Sequence, residues 1–104
     1  MATTAEYIEY VMDQMHDFDG VRSRKMFGEY MVYINDKPIL LVCDNTVMVK
    51  KLPAIKELMK DAECAFPYDG AREHYILDLE SPQAKDVITM LEEITQVRKK
   101  KAKG

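Results

Sequence analysis

The chain has 104 residues, 47% of them hydrophobic, with 15 Lys plus Arg against 18 Asp plus Glu and a formal net charge of −3. At that length one domain with one core is expected, because two cores of ~50 residues would each bury too small a fraction of their surface. Four Gly and four Pro exclude collagen-like and low-complexity chains, and the average apolar content excludes a disordered one. Met1-Ala-Thr-Thr-Ala-Glu-Tyr has neither the basic nor the apolar region of a signal peptide, and no run reaches the ~20 apolar residues that span a bilayer. The expectation is a cytoplasmic protein without membrane association, its Cys43 and Cys64 reduced.

Tyr7, Ile8, Val11, Met12, Met15 and Phe18 recur at spacings of three and four and predict an amphipathic first helix, with Thr3 and Glu6 at capping-box spacing and Gly20 as its stop. Four strand-like runs follow: Val21 to Phe27, Tyr30 to Ile34, Pro38 to Cys43 and Thr46 to Lys50. The separators Gly28-Glu29, Asn35-Asp36-Lys37 and Asp44-Asn45 are short and polar, which predicts antiparallel hairpins. Ile39-Leu40-Leu41-Val42-Cys43 is apolar at every position, so this strand is expected to be central with both faces covered. The next run alternates, and Met31 and Met48 are expected on the side of the sheet opposite Val32 and Val49.

Pro53 opens a predicted short helix to about Asp61, and Glu63 to Arg72 reads as an irregular connection. Glu73 to Leu79 alternates as a fifth strand. Ser81 as N-cap and Pro82 at the first helical position then open a long helix with the stripe Ala84, Val87, Ile88, Leu91 and Ile94. The order α-β-β-β-β-α-β-α predicts an α+β domain over residues 1–97, with an antiparallel sheet of about five strands.

Residues 98–103 read Arg98-Lys99-Lys100-Lys101-Ala102-Lys103, so five of the 15 basic residues lie in an expectedly disordered tail of seven and the body carries 10 bases against 18 acids. Such a body repels nucleic acid at long range. Weak binding through the tail and through Arg22, Arg24 and Lys25, near Lys50-Lys51 if the first and fourth strands meet, is the exception, with five phosphate contacts giving a log–log salt slope of about −4.5.

Little else points to chemistry. A thiol enzyme would need Cys43 or Cys64 with His74 and Asp78, but Cys43 ends an apolar strand, where a thiol behaves as a small hydrophobe. His16, Cys43, Cys64 and His74 are each isolated, without metal-ligand spacing. Gly20, Gly28, Gly70 and Gly104 form no phosphate loop, so no cofactor and no metal are expected. Eight methionines supply adaptable apolar surface, and Met31 and Met48 would offer a contact patch if no helix covers their side.

Arg24-Lys25-Met26-Phe27-Gly28-Glu29-Tyr30-Met31-Val32-Tyr33, then Leu40 to Lys50, Phe66-Pro67-Tyr68 and the strand before Ser81-Pro82, resemble the N-terminal domain family of TfoX (Sxy), the regulator of natural competence. The resemblance spans about residues 20 to 97 and implies a curved antiparallel sheet, similar to secretion-chaperone-like domains, and a regulatory role without known catalysis. It implies that Met26, Phe27, Gly28 and Tyr30 shape a hairpin beside a basic edge of Arg22, Arg24 and Lys25. Family members commonly carry a second glycine after Met-Phe-Gly and another after the aromatic, where this chain has Glu29 and Met31. Full-length competence regulators carry a second domain, and the length here predicts a stand-alone member. The expected role is non-enzymatic: a regulatory domain with an unidentified protein partner, and homodimerisation through an uncovered sheet edge.

Overall fold

The computed structural model describes residues 3–26 and 29–95; Phe27, Gly28 and the tail from Arg98 to Lys103, singled out in the sequence, lie outside the described residues. Asn35-Asp36 and Asp44-Asn45 each place two successive residues at positive φ, 50° and 67°, then 52° and 54°. This is the type I′ pattern, whose twist matches the flanking strands, and Asn and Asp are the side chains that tolerate it best. The turns join β2 (Glu29–Ile34) to β3 (Lys37–Cys43) and β3 to β4 (Thr46–Lys50). With β1 (Val21–Met26), β5 (Cys64–Ala65) and β6 (His74–Ile76) they form a six-stranded sheet of order β1-β2-β3-β4-β6-β5. All five pairings are antiparallel.

One face of this sheet carries Val32, Ile34, Leu40, Val42, Val47, Val49, Tyr75 and Leu77 into a single buried cluster. The helices α1 (Ala5–Gln14) and α2 (Ala84–Ile94) cover it with Ile8 and Val11, and with Ala84, Val87, Ile88 and Leu91; Met15, Ile55 and Met59 complete the cluster. The fold is α+β, as expected. The run Ile39 to Cys43 is apolar throughout for two reasons. Val32 pairs with Leu40 but Tyr33 with Pro38, so a bulge leaves Ile39 as an extra residue and both Ile39 and Leu40 enter the core. Leu41 and Cys43 point to the opposite side, discussed below.

The structure corrects several local expectations. The N-cap of α1 is Thr4, whose side chain accepts a hydrogen bond from the Tyr7 amide at 3.1 Å, and not Thr3. The predicted helix from Pro53 is a single 3₁₀ turn, Pro53–Ile55, followed by turns. The segment expected to be irregular contains the two-residue strand β5, which hydrogen-bonds to β6. Helix α2 begins at Ala84 with Gln83 as N-cap and no side-chain cap; Ser81 instead turns its hydroxyl back to the Asp78 carbonyl at 2.7 Å. Strands β1 and β4 are separated by β2 and β3, so Lys50 and Lys51 do not join the basic residues of β1.

Thr3, released from capping, is buried and part of a clasp. Oε1 of Glu29 accepts hydrogen bonds from the Thr3 amide at 3.2 Å, the Thr3 hydroxyl at 2.7 Å and the Asp44 amide at 3.0 Å. Asn45 Oδ1 accepts from the Thr4 amide at 3.0 Å. The start of α1, the start of β2 and the β3–β4 turn are thereby joined through charge-assisted bonds. At the other end of the sheet, Lys37 Nζ donates to the Glu92 carbonyl at 2.9 Å and pairs with the Glu92 carboxylate at 3.2 Å, a favourable place for a cation at the end of α2.

Three substitutions at two positions are tested by urea unfolding. Glu29→Ala should lower stability by about 2 kcal/mol, and Glu29→Gln, which retains an acceptor, by less; equal stability of both with the parent would show that the clasp is not formed. Gly20 lies at φ +74°, and a Cβ there would overlap the Asn35 side chain, so Gly20→Ala should cost about 1–2 kcal/mol with an unchanged denaturant slope.

Candidate interaction surface

Strand register places a second set of side chains on the face away from the helices. Arg24 pairs with Met31, Met31 with Leu41, Leu41 with Met48 and Met48 with Ile76. Because side chains at paired positions share a face, these form one apolar row across five strands, ended by a guanidinium. Met26 and Glu29 pair on one side of that row, and Arg22 with Tyr33, and Lys50 with His74, on the other. Among the described helices only the end of α2 reaches this row: Leu91, Ile94 and Thr95 line a hollow of about 240 Å³ with Met31, Leu41 and Met48. The segment from Phe66 to Glu73 arches towards it, and Tyr68 lines two adjoining hollows.

The first hollow, of about 530 Å³, is lined by Met26, Glu29, Tyr30, Leu41, Cys43, Pro67 and Tyr68. The second, of about 670 Å³, shares Leu41 and Tyr68 and adds Met31, Lys50, Arg72 and His74. Met31 and Leu41 are half-buried, whereas Met48 is 5% exposed and contributes to the floor rather than to the open surface. Phe66 and Tyr68 are 63% and 65% exposed, far more than large aromatic side chains in a closed core.

The charges divide between the two sides. Helix α1 carries Glu6, Glu9 and Asp13, with Asp17 just beyond it, and no basic residue. The other face has Arg22 and Arg24 on β1, while Lys50, Lys51, Arg72 and Glu73 line the second hollow. Arg22 pairs with Asp36 at 3.1 Å and lies over the Tyr33 ring, 4.9 Å from its centroid. Lys51 is held by Glu73 at 2.9 Å, which raises its pKa, and lies 5.2 Å from the centre of the Tyr75 ring. Among the described residues, Arg24, Lys50 and Arg72 have no ion-pair partner. The carboxylate of Glu29, the acid nearest the apolar row, is directed into its clasp.

Of the residues singled out in the sequence, Arg22, Arg24, Met26, Met31 and Met48 lie on this face, while Lys25 and Tyr30, paired to one another and to Val42, take the register of the core side. Sequence reasoning missed Leu41 as its centre and Tyr68 as its aromatic wall; the two aromatic residues flanking Pro67 were the available signal. The thiol constellation is not brought together. Cys64 pairs with Tyr75 and Ala65 with His74, so Cys64 and His74 point to opposite faces. Cys43 pairs with Thr46 while His74 pairs with Lys50, a separation of roughly 13 Å along the strands. Burial, then the charges of Glu29 and Asp44, push the Cys43 thiol up to about 11. Both cysteines are free. No group of three or more His, Cys, Asp or Glu side chains suited to a metal occurs among the described residues, nor is any helix there long and apolar enough to cross a membrane.

Comparison with known proteins agrees with the architecture. An uncharacterized 12.7 kDa protein in the trpE 5′ region of Spirochaeta aurantia is 35% identical over 91 residues, which cover 85% of this chain and 79% of that protein. The family model of the TfoX N-terminal domain matches residues 13–84, a span running from the last two residues of α1 through the whole sheet to the first residue of α2. The matched segment thus contains every strand of the apolar row and the arching segment above it, and the chain belongs to the TfoX N-terminal domain family.

Proposed function

We propose that this protein is a non-enzymatic regulatory domain that works by binding another macromolecule through the helix-free face of its sheet. The observation that carries the reading is the pair of adjoining hollows over the apolar row from Met31 to Ile76, roofed by no described helix except at the end of α2 and bordered by Tyr68, which is 65% exposed. Methionine and leucine suit it to a partner of variable shape, since flexible thioethers repack at little cost. A role in transcription or competence, as the family name implies, is one setting in which such a domain acts.

Arg22, Arg24, Lys50 and Arg72 on one face favour nucleic acid as the alternative, with the tail from Arg98 to Lys103 as an added tether. It predicts a mobility shift at low salt, lost as salt rises.

Affinity capture with the parent chain, Tyr68→Ala and Arg24→Glu separates these readings. Both positions are exposed, so the variants are expected to keep the parent's unfolding midpoint. Specific capture by the parent that both variants lose supports the interaction surface; capture that neither variant changes refutes it. The non-enzymatic reading also predicts an inert Cys43. Its alkylation in the folded protein should be negligible at neutral pH and rise about tenfold per pH unit towards about 11. Rapid labelling of Cys43 at pH 7 would revive a thiol-based activity.

A further inference from the structure

We infer that the occupant of this face is a peptide segment that carries acidic side chains interspersed with apolar ones. The inference rests on the reading of the face as an interaction surface and adds the chemistry of what it binds. Its apolar part follows from Met31, Leu41 and Tyr68, whose side chains line the two hollows. Its acidic part follows from charge complementarity. Arg24 closes one end of the apolar row, Lys50 and Arg72 border the second hollow, and among the described residues none of the three has an ion-pair partner. Of the acids lining the hollows, Glu29 has its Oε1 engaged by three donors and Glu73 is paired with Lys51. A carboxylate-bearing segment would meet positive potential on this side, whereas the helical side, with Glu6, Glu9 and Asp13, would repel it.

Other occupants fit less well. The tail from Arg98 to Lys103 is basic and would set like charges against Arg24, Lys50 and Arg72. A second copy pairing edge to edge along β1 would oppose Arg22, Arg24 and Lys25 to themselves, which is unfavourable across antiparallel strands. A second copy offering its acidic α1 brings no large exposed apolar side chain, since among the described residues those are Phe66, Tyr68 and Ile94. Single-stranded nucleic acid binds by stacking bases on rings, but the positions at the centre of the row are Met31, Leu41, Met48 and Ile76.

Fluorescence anisotropy of the full chain with four labelled probes tests the inference: a short peptide alternating Glu with Leu and Phe, the same peptide with Lys for Glu, the same with Ser for Leu and Phe, and oligothymidylate. The first probe should bind most tightly and weaken with salt, and Tyr68→Ala and Arg24→Glu should each reduce its affinity by about tenfold with an unchanged thermal midpoint. Equal or tighter binding of the Ser peptide would remove the apolar requirement, and tighter binding of oligothymidylate would reassign the face to nucleic acid; either overturns the proposal. Tyr68-dependent binding of the Lys peptide overturns the acidic chemistry but leaves an interaction surface in place. Failure of all four probes, together with capture insensitive to Tyr68→Ala, overturns both readings. A concentration-dependent dimer in the parent that Tyr68→Ala abolishes would make a second copy the occupant and overturn the peptide.

Discussion

The constraint on which this structure depends is the register of β2, β3 and β4, held by two I′ turns only two residues long. Side chains alternate between faces along a strand, so a slip of one residue exchanges the whole inward set for the outward one. Moved by one position, β4 would turn Met48 and Lys50 towards the helices and expose Val47 and Val49. The turns at Asn35-Asp36 and Asp44-Asn45 leave no slack for that exchange, and their positive φ values match them to the sheet twist. The same register that closes the core therefore composes the opposite face. Its apolar row is a direct product of which residues stand beside Val32, Val42, Val47 and Val49.

How much of this was legible in the sequence follows from the range of each signal. Hairpin turns and strand alternation are local, and they predicted β2, β3 and β4 within a residue at each end, together with the face taken by Met31 and Met48. Two adjacent threonines both suit a helix start, however, and the choice between them was made by Glu29, 26 residues away in sequence from Thr3. Strand β5 has two residues, too few for any periodicity, and exists because β6 offers it a partner. Ser81-Pro82 has the composition of a helix start, but the Ser81 hydroxyl is taken by the Asp78 carbonyl. The aromatic wall was illegible for a related reason: Tyr68 in a connection says nothing about the sheet until the path of that connection over Leu41 is known.

Net charge proved a poor guide to surface chemistry because it averages over opposite sides. An acidic total argued against anionic partners for the whole body. Glu6, Glu9 and Asp13 stand on α1, with Glu80 hydrogen-bonded to its Tyr10, on the side that packs over the core, whereas Arg22, Arg24 and Lys50 take the opposite register and Arg72 lines the second hollow with Glu73. With a Debye length of ~8 Å at physiological salt, charges on the far side of a domain are largely screened from a ligand bound at the sheet. Local sign then governs what binds there. The −3 total retains its bearing on solubility and long-range encounter.

The two walls of the apolar face differ in how firmly they are held, and this bears on how it can accommodate a partner. At the Met26 end, the wall is formed by Glu29. Its carboxylate ties β2 to the N-terminal segment and to the β3–β4 turn, so the hollow beside Cys43 has a fixed polar boundary. The opposite wall hangs on bonds that are local or exposed: the Ala71 amide donates to the Tyr68 carbonyl, His74 Nδ1 lies 2.8 Å from the Arg72 carbonyl, and Lys51 holds Glu73. Segments with few buried apolar contacts and exposed backbone bonds open at low free-energy cost. Tyr68 can therefore shift to fit what lies on Leu41 without disturbing the register beneath, which is the division between rigid floor and adjustable wall that a binding face for variable apolar segments needs.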